Sequence, residues 1–402
     1  MADYVALNPA VVLTVSPTGL AVARSLASRG VAVWGVDDQD REIGHSSRWF
    51  RFDPALRYLS PGPELLEGLL RFGKAQALPP VLFVAGDPYM DFVAENHEAL
   101  REHFVLPEGM RPEVASSMLD KRSFYERCQA LGTTLPATFF PAGESDARAA
   151  ALELRYPAIV KPTHAHVVRS RLGGDKLVEV QEAESLVTWW LRMRDWGSDA
   201  VLQEIIPGAE ANLFVGAVYM DAQLECRSLF TARKSRQYPP WYGSGSYMEA
   251  SWSQEIADLS VDLLRRLEYR GVAGTEFKWD ARDETWKLIE INPRPTLWFA
   301  LPPAAGVDVI WDAYCDLVGR PNEIHVNQQD DRIRWQLLVR DLVSGWYFLR
   351  RGDLSLREFL RTVIDPRRKT YAILSWRDPG TLLAYPRNTL WKYLRTRAGG
   401  SE

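Results

Sequence analysis

The stretch "KLIEINPRPTLW", residues 287–298, places an acid, an amide and a guanidinium inside what otherwise reads as a core strand. Leu288, Ile289 and Ile291 are apolar, while Glu290, Asn292 and Arg294 recur at every second position. A strand sends alternate side chains to opposite faces, so Glu290 and Asn292 share one face and Arg294 continues the series. Upstream, "GTEFKWDARDETW" reads as the partner strand and a tight turn, and antiparallel pairing can bring Glu276 opposite them. Two carboxylates and an amide are hard oxygen donors, a set that suits Mg²⁺ rather than zinc. Arg294 adds the cation that a metal-bridged phosphate requires.

Further cations and acids stand where chemistry could use them. Lys161 ends the apolar strand of "YPAIVKP", a place where a lysine needs an anionic partner. Glu204 sits in the extended segment "LQEIIPG", whose main chain can read an adenine edge. Arg233, Lys234 and Arg236 precede the small-residue loop "QYPPWYGSGS" and suit a carboxylate or an acyl phosphate. Arg233 and Arg236 are three apart, so they do not share a strand face. In "PTHAHVVRSRLGGDK", Gly173 and Gly174 and the cations around them suit a loop that closes over phosphates using Lys176 or a histidine. Zinc binding by His164 and His166 would need further ligands that the sequence does not offer.

These residues require elements to hold them. "AVVLTVSPTGLAVARSLASRGVAVWGVDD" reads as strand, turn, helix, strand: a βαβ unit and hence a parallel sheet. Gly19 is the only glycine of its first turn, so the dinucleotide fingerprint is absent. "VLFVAGDPYMDFVAENHEAL" repeats the strand-then-helix pattern. A helix is expected from about Ser117 to Leu131, ended by Gly132, then a strand after Pro136. Residues 200–234 read as consecutive antiparallel strands with turns at Pro207-Gly208 and Asp221-Ala222. Helices follow in "QEIADLSVDLLRRLEYRG" and "VIWDAYCDLVG".

The chain has 402 residues, 46% of them hydrophobic and 25% charged, with a net charge of −4. That balance implies no nucleic-acid partner, and the length suggests about two or three domains. Cys128, Cys226 and Cys315 lie far apart with no CxxC spacing, as expected for a reducing compartment. With no signal-like start and no apolar run of roughly 18 residues, a cytoplasmic location is expected.

In the order and content of "YPAIVKP", "QEIIPG", "RKSRQYPPWYGSGS", "GTEFKWDARDETWKLIEINPRPTLW" and "SLREFL…AILSWRDPG", the chain resembles ATP-grasp enzymes of the carboxylate–amine ligase group. The resemblance covers nearly its whole length and implies an α/β fold. Residues 1–112 would form a Rossmann-like pre-ATP-grasp domain, and 113–325 the ATP-grasp domain with a lid at roughly 135–203. Residues 326–402 would be a basic, Trp-containing C-terminal extension. The resemblance further implies that Lys121 and Lys161 contact ATP phosphates, with Lys176, Lys278 and Leu288 also in the nucleotide site. Glu204 and Ile206 would line the adenine pocket and Glu210 would reach the ribose. Glu276, Glu290 and Asn292 would hold two Mg²⁺ ions, with Mn²⁺ as a substitute. Arg294 would steady the transferred phosphoryl group, with Lys161 and Arg236 completing the catalytic set. The implied activity joins a small-molecule or polymer-linked carboxylate to an amine such as an amino acid through an acyl phosphate, releasing ADP and phosphate. The alternatives are carboxylation through carboxyphosphate and a nucleotide-binding module without turnover. A homodimer is the assembly common among enzymes of this kind.

The segment from Val326 to Glu402 carries fifteen Lys/Arg against eight Asp/Glu, a net +7 within a negative chain. It is expected to pack on the catalytic domain with Trp335, Trp346, Trp376 and Trp391 buried and its arginines solvated. The alternative is a patch of Arg361, Arg367, Arg368 and Lys369 that meets a large anionic acceptor or an anionic membrane surface.

Overall fold

The computed structural model describes residues 6–163, 168, 171–172, 177–364 and 368–397. The chain opens with β1 (Ala10–Leu13), α1 (Pro17–Ala27), β2 (Val33–Val36), α2 (Pro63–Lys74), β3 (Val81–Val84), α3 (Asp87–Glu95) and α4 (Pro112–Leu119). β1 pairs in parallel with β2 and β3, giving the order β2-β1-β3 that the βαβ pattern requires. All four residues of β1 and of β3 are buried, as expected of a parallel sheet covered on both faces. α1 starts with a proline whose missing N–H costs nothing at that position. A Cβ at Gly19 would lie 1.9 Å from the Thr14 carbonyl oxygen, so only glycine lets α1 leave the turn here.

The single helix expected from about Ser117 to Leu131 is two. α4 stops at Leu119, and α5 (Lys121–Ala130) begins after Asp120, whose carboxylate accepts from Ser123 N at 2.7 Å. Aspartate competes for backbone hydrogen bonds, so it caps a new helix more readily than it continues an old one. Beyond it come β4 (Thr138–Phe139), α6 (Glu144–Glu153), β5 (Ala158–Pro162), β6 (Val178–Val180), α7 (Ala183–Asp195) and β7 (Ala200–Glu204). These strands form an antiparallel sheet in the order β4-β7-β5-β6. α6 and α7 cover it through Ala147, Ala150, Leu186 and Trp190, packed with Ala158, Val160 and Leu202.

The remainder supplies β8 (Leu213–Met220), β9 (Cys226–Tyr238), β10 (Ser244–Ala250), α8 (Gln254–Arg266), β11 (Gly271–Asp280), β12 (Thr285–Asn292) and α9 (Val309–Leu317). It ends with β13 (His325–Val326), β14 (Arg334–Gln336), α10 (Leu338–Arg351), α11 (Leu356–Ile364), β15 (Lys369–Tyr371) and α12 (Pro379–Arg397). The large sheet runs β12-β11-β8-β9-β10-β14-β15, with β13 beside β9. The chain divides into two compact units: 6–119 with 210–276 and 290–397, and 120–209 with 277–289. The stretch expected to form the lid lies within the second unit, and residues 326–397 of the extension lie within the first.

Within the first unit the extension is tied down by charge. Asp378 is fully buried and accepts from Arg24 Nη2 at 3.0 Å, Ser47 Oγ at 2.8 Å and Arg48 N at 3.0 Å. The Arg24 guanidinium also donates to the carbonyls of Ala372 and Ile373. Trp335 is buried as expected, but Trp346 and Trp376 are exposed. They lie on a helix face and in a bend that nothing in this unit covers, so the expected burial of all the tail tryptophans fails; the Trp391 side chain lies outside the described residues. Arg361 and Arg368 are exposed, while Lys369 Nζ donates to the Thr362 and Val363 carbonyls and so caps α11. Arg367 lies outside the described residues. Among the described residues no helix is long and apolar enough to cross a membrane.

Candidate active site

β11 and β12 are sheet neighbours, and their acid-bearing ends, with Glu276 on one and Glu290 and Asn292 on the other, belong to the first unit. Phe277 of β11 and Ile291 of β12 bury their side chains, and alternation leaves Glu276, Glu290 and Asn292, their strand neighbours, to the other face. Glu290 is exposed and Asn292 half-buried on either side of buried Ile291, as the alternation requires. Glu276 is held by Lys234 of β9, whose Nζ lies 2.9 and 3.0 Å from its two carboxylate oxygens. The pair is nearly closed to solvent, at 7% and 15% side-chain exposure.

Lys234 is the cation of the "RKSR" cluster that meets a site acid. Arg236, assigned to catalysis from the sequence, instead turns to Asp341 on α10, with Nε–Oδ1 at 2.7 Å and Nη2–Oδ2 at 2.8 Å. Its guanidinium also lies over the Tyr247 ring, 4.4 Å from the centroid, and donates to Thr362. Register irregularities between β9 and β10 at Gly245–Met248 interrupt the simple alternation that sequence spacing assumes. Arg233 is exposed and lies over the Phe214 ring.

Arg294 stands past the end of β12, where Pro293 can give no ladder hydrogen bond, so strand alternation does not place it. The Tyr269 hydroxyl lies 2.9 Å from the carbonyl oxygens of both Val272 and Pro293, pinning this turn to the start of β11. Burial pushes the Tyr269 phenol far up and keeps it neutral. Arg294 pairs with Asp87 in the first turn of α3, with Nε–Oδ1 at 2.6 Å.

Glu210, also in the first unit, is buried beneath the loop after β9. Its carboxylate accepts from Gln237 N at 2.9 Å, Gln237 Nε2 at 3.2 Å and Trp241 N at 2.5 Å. These bonds fix the "QYPPW" turn, in which Trp241 takes a φ of 73°. Burial pushes the Glu210 carboxyl up to about 6 despite those donors.

The second unit holds the other residues assigned to the nucleotide. Lys121 opens α5, directly after the Asp120 cap. Lys161 pairs with Val201 across β5 and β7 and is half-buried, its ammonium making no hydrogen bond or ion pair with another described residue. Ile206 and Leu288 are buried, and Lys278 is half-buried on β11. Glu204, buried at the end of β7, accepts from Ala137 N at 3.0 Å and from Arg282 Nη2 at 2.9 Å. Arg282 also grips Asp280, and Lys287 Nζ lies 3.2 Å from Asp280 and 2.9 Å from Asp283. The Arg282 guanidinium holds the Asp280 carboxyl well below the usual carboxylate range. Sequence reading took "DARDET" only as a turn; the alternation of acids and bases through Lys287 was the available signal for this network. Lys176, His164 and His166 lie outside the described residues.

No family model matches the chain. In sequence it is similar to a D-aspartate ligase of Enterococcus faecium, 24% identical over 245 residues that make up 58% of each chain. A D-alanine–D-alanine ligase of Pseudomonas fluorescens is 25% identical, over 72% of this chain and 82% of that one. This chain thus spans little more than half the length of the D-aspartate ligase. In fold it is similar to an N5-carboxyaminoimidazole ribonucleotide synthetase solved with ADP, with a TM-score of 0.66 at 14% identity over 98% of this chain and 99% of that one. The biotin carboxylase domain of a Hydrogenobacter thermophilus 2-oxoglutarate carboxylase, solved with MgADP and bicarbonate, gives 0.61 at 16% identity over 82% and 74%. The antiparallel four-stranded sheet, the large sheet with its acid-bearing hairpin and these likenesses agree: the chain has the ATP-grasp fold.

Proposed function

We propose that the protein couples cleavage of ATP to formation of an amide bond between a carboxylate and an amine, with an amino acid on one side of that bond. The observation that carries this reading is the acid set of the first unit: Glu276, Glu290 and Asn292 on neighbouring strands, with Glu276 already facing a cation. The sequence likeness to D-aspartate and D-alanine–D-alanine ligases supports the class of substrate.

The donors fit Mg²⁺ or Mn²⁺. Two carboxylates and an amide oxygen are hard donors of the kind these ions take. Bound there, two such ions would neutralise charge on the ATP phosphates. In the reaction, a carboxylate oxygen attacks the γ-phosphorus of ATP and ADP leaves with the bridging oxygen. The amine nitrogen then attacks the acyl carbon of the acyl phosphate, phosphate departs and the amine loses a proton. Lys121 and Lys161 act as phosphate-binding cations. Arg294 exchanges the Asp87 carboxylate for phosphoryl oxygens, to which its planar fork is equally suited. Lys234 balances the charge of Glu276. In this reading Glu204 and Glu210 act at the nucleotide through the segments that they hold in place, around Ala137 and around Trp241.

ADP release measured while amino acids and carboxylates are offered in pairs tests the reading. Hydroxylamine should divert the acyl phosphate to a hydroxamate, and ¹⁸O from the carboxylate should appear in the released phosphate. ADP release with bicarbonate, yielding a carboxylated amine, would replace ligation by carboxylation. Tight ATP binding without turnover for any pair would leave a nucleotide-binding module.

A further inference from the structure

α11 divides its side chains sharply. Leu356, Leu360 and Ile364 recur at i, i+4 and i+8, one stripe of the helix, and are 61%, 42% and 66% exposed. Arg357 and Arg361 border the stripe and are exposed as well. These five residues line a shallow surface cavity of about 860 Å³. Phe359, Thr362 and Val363 are half-buried on the opposite side. The one acid of the helix, Glu358, is spent on the N-terminus, where it accepts from Ser355 N while Ser355 Oγ accepts from Glu358 N.

The neighbouring helix repeats the pattern. A Cβ at Gly345 of α10 would fall 2.0 Å from the Phe359 ring, so the two helices touch where α10 has no side chain. α10 exposes Leu342, Val343 and Trp346, and the Arg350 guanidinium lies 4.9 Å from the Trp346 ring centroid. The acids nearby are committed. Asp341 is buried against Arg236, and Asp353 pairs with Arg351. The exposed surface of this helix pair is therefore leucine, isoleucine, valine and tryptophan bordered by arginine.

We propose that α10 and α11 form a docking surface for an anionic lipid bilayer, with the apolar stripe entering the boundary between headgroups and acyl chains. The chemistry favours a bilayer over a protein groove. An apolar stripe edged by arginines matches a planar surface in which cations meet phosphate at the level where leucines enter hydrocarbon. Tryptophan, with an apolar body and a polar edge, suits the same depth. The net +7 of residues 326–402 supplies long-range attraction in a chain that is negative overall.

The test is sedimentation of the full chain with phosphatidylglycerol vesicles and, in a parallel arm, phosphatidylcholine vesicles. The parent protein should pellet with the first, less with the second, and be released by high salt. Leu360→Ser/Ile364→Ser and Arg357→Glu/Arg361→Glu should each reduce the bound fraction about tenfold, since each removes one of the two contributions to interfacial binding. Both pairs are exposed, so melting temperature should stay at the parent value and is measured alongside. Failure of the parent to pellet with anionic vesicles overturns the proposal, as does pelleting that neither variant changes. A stable dimer that Leu360→Ser/Ile364→Ser dissociates would also overturn it, because a second copy would then cover the stripe.

Discussion

At the scale of single residues the structure gives neighbouring cations different partners. Arg236 and Lys234 are two positions apart in one strand, yet one closes a buried pair with Asp341 and the other meets Glu276. Arg236→Ala leaves a buried carboxylate without its charge partner and should cost about 3–5 kcal/mol of stability, read from urea melts. Lys234→Met alone should be similarly destabilising, whereas Lys234→Met/Glu276→Gln, which removes both charges, should recover most of the loss and still be inactive. Glu290 is exposed, so Glu290→Gln should melt like the parent. Its ATP turnover at limiting Mg²⁺ should fall at least about a hundredfold, roughly 2.7 kcal/mol of transition-state stabilisation. Near-parental turnover in that variant would remove Glu290 from the metal set.

At the scale of elements, the loop after β9 hangs on one carboxyl group. Glu210 sits at about 6 in the folded protein against an ordinary 4.5. The folded state therefore holds its proton more tightly than the unfolded chain does. The resulting stabilisation is full below the unfolded value and is lost as pH rises through the folded value. The gap of about 1.5 units corresponds to about 2 kcal/mol lost between roughly pH 4.5 and 7. Denaturant melts of parent and Glu210→Gln across that range isolate the contribution. The glutamine variant should gain on the parent as pH rises, and parallel curves would show that Glu210 does not titrate there. Asp280, held low by Arg282, works in the opposite sense: its contribution is present at neutral pH and is lost on acidification.

At the scale of the whole molecule, the extension is part of the first unit rather than an appendage. Asp378 gathers Arg24, Ser47 and the Arg48 amide from the N-terminal segment, and a Cβ at Gly380 would lie 1.9 Å from the Ser46 carbonyl oxygen. Burial alone lowers the affinity of Arg24 for its proton, and Asp378 works against that. Asp378→Ala strands a largely buried guanidinium and should cost about 3–5 kcal/mol, visible as a lower urea midpoint. If the midpoint did not move, the extension would not be braced through this residue.

The sequence alone determined the elements and the acid-bearing hairpin, because both depend on local rules. The apolar residues Leu288, Ile289 and Ile291 made β12 a strand, and the strand period put Glu290 and Asn292 on one face. The βαβ opening dictated a parallel sheet through the pattern of Val11 to Val15 and the helix after Gly19. Tertiary structure alone decided which cation met which acid. The irregular pairing of β9 with β10 broke the count from Lys234 to Arg236, and the end of β12 at Asn292 took Arg294 out of the alternation. Asp120 split a helix that periodicity read as continuous, since one side-chain cap outweighs a weak apolar period. The hydrogen-bond partners of Glu210, Glu204 and Asp378 come from about 27 to 350 positions away, and no local spacing rule reaches that far. Burial makes such pairings strong, and burial is a property of the folded chain.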